Sequence, residues 1–288
     1  ALRSAPPERR EEPAPPMPEK GAAPPEPVFS LSLFRGEQLT GALMDLSPAL
    51  IYLPAERIGE FDIAPYLSRG TEFAVALPRI CTDHQREALV DLLKKSRDMG
   101  CVSAAVGNIG QGAMAREMGF ALRGDYGLNI FNSRSLQVLT DMGFVSACLS
   151  FELRHQQIRD LQGALPREAI VYGRLPLMVT ENCLIRNALG CKPRDLTGPC
   201  RQVHRLTDRR GEEFPVLSVF GCRSEIENGA TLYLGDKPEY RRCGLTYARL
   251  RFTTESPAEC VRVLEAYRSG GGTPPQGHTR GLFYRGVD

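Results

Sequence analysis

The chain has 288 residues, of which 42% are hydrophobic and 24% charged, the composition of a soluble globular protein. Its net charge of +2 does not by itself call for nucleic acid, and no apolar run is long enough for a transmembrane helix. Nine cysteines, an odd number, behind a charged and proline-rich start unlike a signal peptide, argue against a complete disulfide framework and for a reducing compartment, the cytoplasm.

Residues 1–28 hold nine of the 22 prolines and too little apolar surface to offset ordering, so they read as a disordered, extended linker. Because the chain opens on Ala1 and linker, it is expected to be the C-terminal piece of a longer protein, whose missing N-terminal domain is an expected partner. From Val28 a strand–helix rhythm begins. Phe29–Phe34 alternates apolar and polar as a half-buried strand does. Glu37–Met44 reads as a short helix, Leu50–Leu53 and Phe73–Leu77 as strands stopped by prolines, and Asp83–Gly100 as a helix with Asp83 as its N-cap. Val102–Val106 is a further strand, followed by a tight turn over Gly107–Gly112 and a helix over Ala113–Met118. Strands are predicted over Phe120–Tyr126, reaching Asn132, then over Phe144–Leu149 and Ala169–Tyr172. Helices over Ser133–Met142 and, capped by Ser150, over Glu152–Leu161 lie between them.

Seven short apolar strands separated mostly by helices predict a parallel α/β array. A (β/α)8-barrel-like array over residues 29–180 is the first choice and a doubly wound open sheet the alternative. After Met178 the rhythm breaks. Residues 181–288 read as a smaller, cysteine-bearing, β-rich region, with strands over Phe214–Phe220, Ala230–Leu234 and Leu245–Phe252 and a helix capped by Ser256.

Cys183, Cys191, Cys200 and Cys222 follow the pattern C-x7-C-x8-C-x21-C. The first three lie in polar, turn-rich sequence, where burial as small hydrophobes is a poor explanation. Four thiolates can close the first shell of an iron–sulfur cluster or of a zinc ion. Cys101, Cys148 and Cys260 lie in apolar strand or helix patterns and read as core residues. Lys192, Arg194, Arg201, Arg205, Arg209, Arg210 and Arg223 crowd the cysteine stretch, either as a solvated face or as groups that meet a thiolate cluster or RNA phosphates.

In a barrel the loops at the carboxyl ends of the strands build the active site. Those ends carry Asn108, Asp125, Asn129, Asn132, Glu152 and Arg174, either as a convergent catalytic rim or as ordinary caps of helices and turns. The hydrolase motifs H-E-x-x-H and G-x-S-x-G are absent.

The run Gly124–Ser133 (GDYGLNIFNS), the segment Leu149–Leu153 (LSFEL) and Ile170–Cys183 (IVYGRLPLMVTENC) together resemble the peptidase U32 family. Leu206–Val216, Cys222–Asn228 and the Thr279-Arg-Gly tail are similar to the C-terminal part of its long, collagenase-like bacterial members. The resemblance implies a barrel-like fold. It also implies a four-cysteine [4Fe–4S] cluster, carried onto Cys183, Cys191, Cys200 and Cys222. Relatives of this kind hydroxylate a tRNA uridine, an rRNA cytidine or a ubiquinone precursor without oxygen, the RNA-modifying ones with prephenate as hydroxyl source. The expectation is therefore an RNA-modifying hydroxylase. A U32 peptidase and a non-catalytic RNA-binding or scaffold module with a structural four-cysteine metal site are the alternatives.

Overall fold

The computed structural model describes residues 16–22, 24–191 and 199–286. Eight parallel strands close into a barrel: β1 (Val28–Leu33), β2 (Leu50–Pro54), β3 (Glu72–Ala76), β4 (Ser103–Val106), β5 (Ala121–Gly124), β6 (Ser146–Cys148), β7 (Arg167–Thr180) and β11 (Tyr247–Phe252). The strand that closes the ring thus comes from the segment after residue 180. β11 pairs with β1, Leu31 opposite Leu250, and with β7, Ala248 opposite Ala169. Between β7 and β11 the chain makes an antiparallel excursion, β8 (His204–Thr207), β9 (Glu213–Val219) and β10 (Arg223–Tyr233). β7 carries it by running past the barrel, so that its far half pairs with β10, Val179 opposite Glu225.

The closure has one tight point. Gly173 in β7 has φ of +120°, and a Cβ there would stand 2.1 Å from the Arg251 carbonyl oxygen of β11. Only glycine admits that backbone and that approach.

Strand alternation divides the core in two. Leu31, Leu33, Ile51, Leu53, Phe73 and Val75 point outward and pack with helix residues such as Leu89 and Leu93. The barrel interior holds a small apolar group, Leu50, Tyr52, Ala74 and Ala105, packed against Ala76 and Tyr247. The rest of the interior is polar.

Several local expectations shift. Glu37–Met44 divides into a 3-10 turn at Gly36–Gln38 and a helix at Gly41–Asp45. The long helix is Arg86–Met99, preceded by a 3-10 turn whose capping box joins Thr82, not Asp83, to Gln85. Ser150 caps no helix: the next one is His155–Asp160, because Ser150 to Leu153 close a turn in which Leu153 N–H reaches the Ser150 carbonyl. The fifth strand ends at Gly124, and Tyr126–Leu128 is a 3-10 turn. Part of the proline-rich segment is held: Lys20 and Gly163 form a parallel bridge, and the Lys20 ammonium reaches the Arg159 carbonyl at 2.7 Å.

Candidate active site at the barrel mouth

The carboxyl ends of the barrel strands and the start of β10 enclose a cavity of about 110 Å³. Arg79, Asp125, Tyr126, Arg223, Glu225, Arg249 and Arg251 are among its polar lining, together with Glu56 and Thr253. The strands put them there by alternation. Arg249 and Arg251 are two apart on β11 and face inward, and Glu225 and Glu227 are two apart on β10.

The interior is built as three layers of ion pairs along the barrel axis. At the amino-terminal end of the strands Arg123 donates to both oxygens of Glu72, at 2.7 Å and 2.9 Å, and to Ser146 at 2.8 Å. In the middle the fully buried Arg249 bonds Asp125 at 2.5 Å and also Glu168, and its guanidinium lies 3.9 Å from the Tyr52 ring centre. Glu168 further accepts from Ser30 at 2.5 Å and from the Tyr52 hydroxyl at 3.0 Å. Burial, then the Glu168 charge, pushes the Tyr52 hydroxyl well above the ordinary phenol range, so it stays a donor.

The third layer sits at the mouth. Arg251 binds Glu227 through both Nη atoms and Glu225 at 2.8 Å, while Arg79 meets Glu225 at 3.8 Å. Burial raises the Glu225 carboxyl far above its usual range, and the neighbouring Glu227 charge adds to it. Glu56 at the same mouth accepts the Phe220 N–H at 3.2 Å, and burial lifts it to about 6. Two polar atoms on the lining residues have no partner among the described residues, Arg249 Nε and Thr253 Oγ1.

Of the predicted rim, the structure brings Asp125 into the cavity and no other member of the group. Glu152 lines a second, wider trough beside the mouth, with Asn108, Leu177 and Met178. Asn129 takes the left-handed conformation that ends the 3-10 turn at Tyr126–Leu128, φ 49°, a backbone role. Asn132 caps the helix Ser133–Asp141, accepting from Ser135 N–H at 2.9 Å. Arg174 points toward the β10 bulge and donates to the Asn228 carbonyl at 2.9 Å and to that of Gly229. The expectation that these residues converge is therefore corrected: caps and turns also end at the carboxyl edge, and polar sequence there marks both.

Arg249, Arg251, Glu168, Glu225 and Glu227 were missed. A signal existed for the arginines and for Glu225 and Glu227: YARLRF and SEIEN place charges at every second position, the period of one strand face.

The model of Peptidase family U32 matches residues 62–231, more than half of the chain. The chain belongs to Peptidase family U32. The matched region of this U32 chain spans β3 to most of β10 and contains all four candidate ligand cysteines. Among solved structures, one described as the U32 peptidase Mk0906 is similar at 10% identity, with a TM-score of 0.44, over 85% of this chain and 100% of that one. No curated protein matches the sequence.

The U32 cysteines lie just beyond the mouth. Cys183 follows β7, is buried, and caps the helix Leu184–Leu189, its sulfur accepting from Arg186 N–H at 3.4 Å. It packs in one small cluster with Ile185, Val216 and Cys222. Cys222 occupies a left-handed turn, φ 58°, between β9 and β10. The Cys191 thiol is pushed up by desolvation and then by Cys200, Cys183 and Cys222, which face it. Cys183 and Cys222 thus share a cluster, and Cys200, Cys183 and Cys222 act electrostatically on Cys191, but among the described residues no group of three or more His, Cys, Asp or Glu could hold a metal ion. Lys192 and Arg194 lie outside the described residues. Arg223 is buried and bound to Glu181 at 2.6 Å, and Arg209 and Arg210 are exposed at the β8–β9 turn. The three cysteines expected in the core are there: Cys101, Cys148 and Cys260 are buried, and burial raises each thiol.

Proposed function

We propose that this U32 chain is the barrel of an iron–sulfur-dependent, oxygen-independent hydroxylase that modifies a base of tRNA or rRNA. The observation that supports the reading is that Cys183 and Cys222 pack in one cluster and that Cys183, Cys200 and Cys222 act electrostatically on Cys191. Four thiolates are the usual ligand set of a [4Fe–4S] cluster, and no nitrogen or oxygen ligand is needed to complete it. A bound cluster supplies one-electron chemistry. Val179, four residues before Cys183, and Arg223, next to Cys222, line the cavity, so the segments that carry these two cysteines start at its wall.

The chain's own residues would bind and orient. Prephenate, the hydroxyl source suggested by the resemblance, is acidic, and Arg79 and the unpaired Nε of Arg249 are cationic donors toward it. The exposed Arg209 and Arg210, with Arg205 on the same hairpin, suit RNA phosphates, a contact that weakens steeply with salt.

Peptidase activity is the second reading, favoured by the family's description. Against it, the described cavity lining contains no histidine. His84 is tied to Thr82, His155 to the Phe283 carbonyl and His278 to the Pro275 carbonyl. A triad-type hydrolase needs a base beside its nucleophile.

The test is iron, zinc and acid-labile sulfide content with a visible spectrum after anaerobic purification, on the wild type and on Cys183→Ala. Iron with sulfide, lost in the variant, supports the reading. Zinc without iron makes the site structural and favours a binding module. No metal at all removes the cysteine argument. A deletion strain lacking one RNA hydroxylation would then identify the substrate.

A further inference from the structure

We propose that Glu225, beside Glu227 on the Arg251 guanidinium, is the proton-carrying group of the barrel mouth and exchanges its proton with a ligand in the cavity. The two carboxyls come from the same face of β10 and lie against each other. Glu227 is fully buried and is held by Arg251 through both Nη atoms, at 2.7 Å and 2.8 Å. Glu225 shares that guanidinium at 2.8 Å and, unlike Glu227, lines the cavity. Glu225 thus stands desolvated beside a second carboxylate, sharing Arg251 with it and meeting only the more distant Arg79 besides, so Glu225 is the carboxyl that retains a proton. As the member of the pair that lines the cavity, Glu225 is the one from which the proton can leave.

Every packed element contributes to this balance. Arg251 comes from β11, Arg79 from the loop after β3, Tyr126 from the turn after β5, Glu56 from the turn after β2, and Arg223, engaged with Glu181, from β10 itself. Burial is the largest influence on Glu225, raising its carboxyl, and Glu227 adds to it while Arg251 and Arg79 oppose it. A separate observation points to a ligand. Thr253, 2% exposed and lining the same cavity, has an unpartnered Oγ1, and Arg249, also lining it, has a buried Nε that is an unpartnered donor. An oxygen-bearing ligand, carbonyl or hydroxyl, would meet donors there and the Glu225 proton at the mouth. In the transfer the Glu225 O–H bond breaks as a new O–H bond forms on a ligand oxygen that carries or develops negative charge, which the proton neutralises. The carboxylate left behind stays paired with Arg251 and Arg79, and solvent at the mouth returns the proton.

The inference does not depend on the hydroxylase reading, because it is tested without substrate or cluster. The experiment is a pH titration of the full chain labelled with 13C at the glutamate side-chain carboxyls, followed by NMR. The expected result is one glutamate titrating above neutrality in the wild type. That signal is lost in Glu225→Gln and retained in Glu56→Gln. In Arg79→Ala its midpoint rises by about half a unit or more, since a cation favouring the ionised form is removed. Arg79 is partly exposed, so this variant keeps the test open if Glu225→Gln does not fold. The inference is overturned if no glutamate titrates above neutrality, if the signal survives in Glu225→Gln, or if Arg79→Ala leaves the midpoint unmoved.

Discussion

Arg251 of β11 clasps Glu227 of β10 with both Nη atoms, at 2.7 Å and 2.8 Å, and so ties the strand that closes the barrel to the excursion that roofs it. The two residues are buried, and Glu225 shares the same cation. Replacing Arg251 by Met leaves two acids desolvated beside the single, more distant Arg79. That change should cost about 3–5 kcal/mol of stability, whereas Glu227→Gln, which leaves Arg251 its Glu225 partner, should cost about 1–3 kcal/mol. Urea unfolding with unchanged slopes measures both. Equal costs for the two variants would show that the cation is not the hub.

Gly173→Ala tests the barrel closure. The added Cβ has 2.1 Å to the Arg251 carbonyl oxygen, and the residue must hold φ of +120°. Strain and separation of β7 from β11 should together cost more than about 2 kcal/mol. The control is Gly163→Ala, also at positive φ but with open space around the new methyl. If both variants lose the same amount, the backbone conformation alone is responsible and the close approach to β11 is relaxed.

The stability of the protein should fall as pH rises through the weakly acidic range. Glu56 is lifted from 4.5 to about 6 by burial, so the folded state prefers its protonated form. That contribution is complete below the unfolded value and is lost as pH passes through about 6, a total of about 2 kcal/mol. Glu56→Gln keeps an acceptor for the Phe220 N–H and removes the titration. Its stability profile from denaturant melts across this window should be flatter than that of the wild type by the same amount.

Asn132 separates cap from catalyst. Its side chain accepts the Ser135 N–H at 2.9 Å, so Asn132→Ala should cost about 1 kcal/mol and Asn132→Asp should restore most of it. Thermal melts of the two variants decide the point. A loss that Asp does not restore would speak against capping.

Much of the scaffold was legible along the chain. Phe29–Phe34, Leu50–Leu53, Phe73–Leu77 and Val102–Val106 announce strands because each is short, apolar and bounded by proline, glycine or a polar turn. Alternation and helix breakers act locally, so sequence alone determined a parallel α/β array; it also set Cys183, Cys191 and Cys200 in polar, turn-rich sequence, yet the fold buries Cys183 against Ile185 and Val216. Which strand completed the ring was not a local matter. β11 follows an excursion of more than one hairpin, and its place between β7 and β1 depends on pairing partners remote in the chain. The site was decided the same way. Asp125 and Arg249, and Arg251 and Glu227, become partners only when different strands bring them face to face, and it is burial that turns ordinary charges into a layered interior. Asn129, Asn132 and Arg174, polar at the same edge, serve turns, caps and a bulge instead, since composition at a strand end does not say which way a side chain will point.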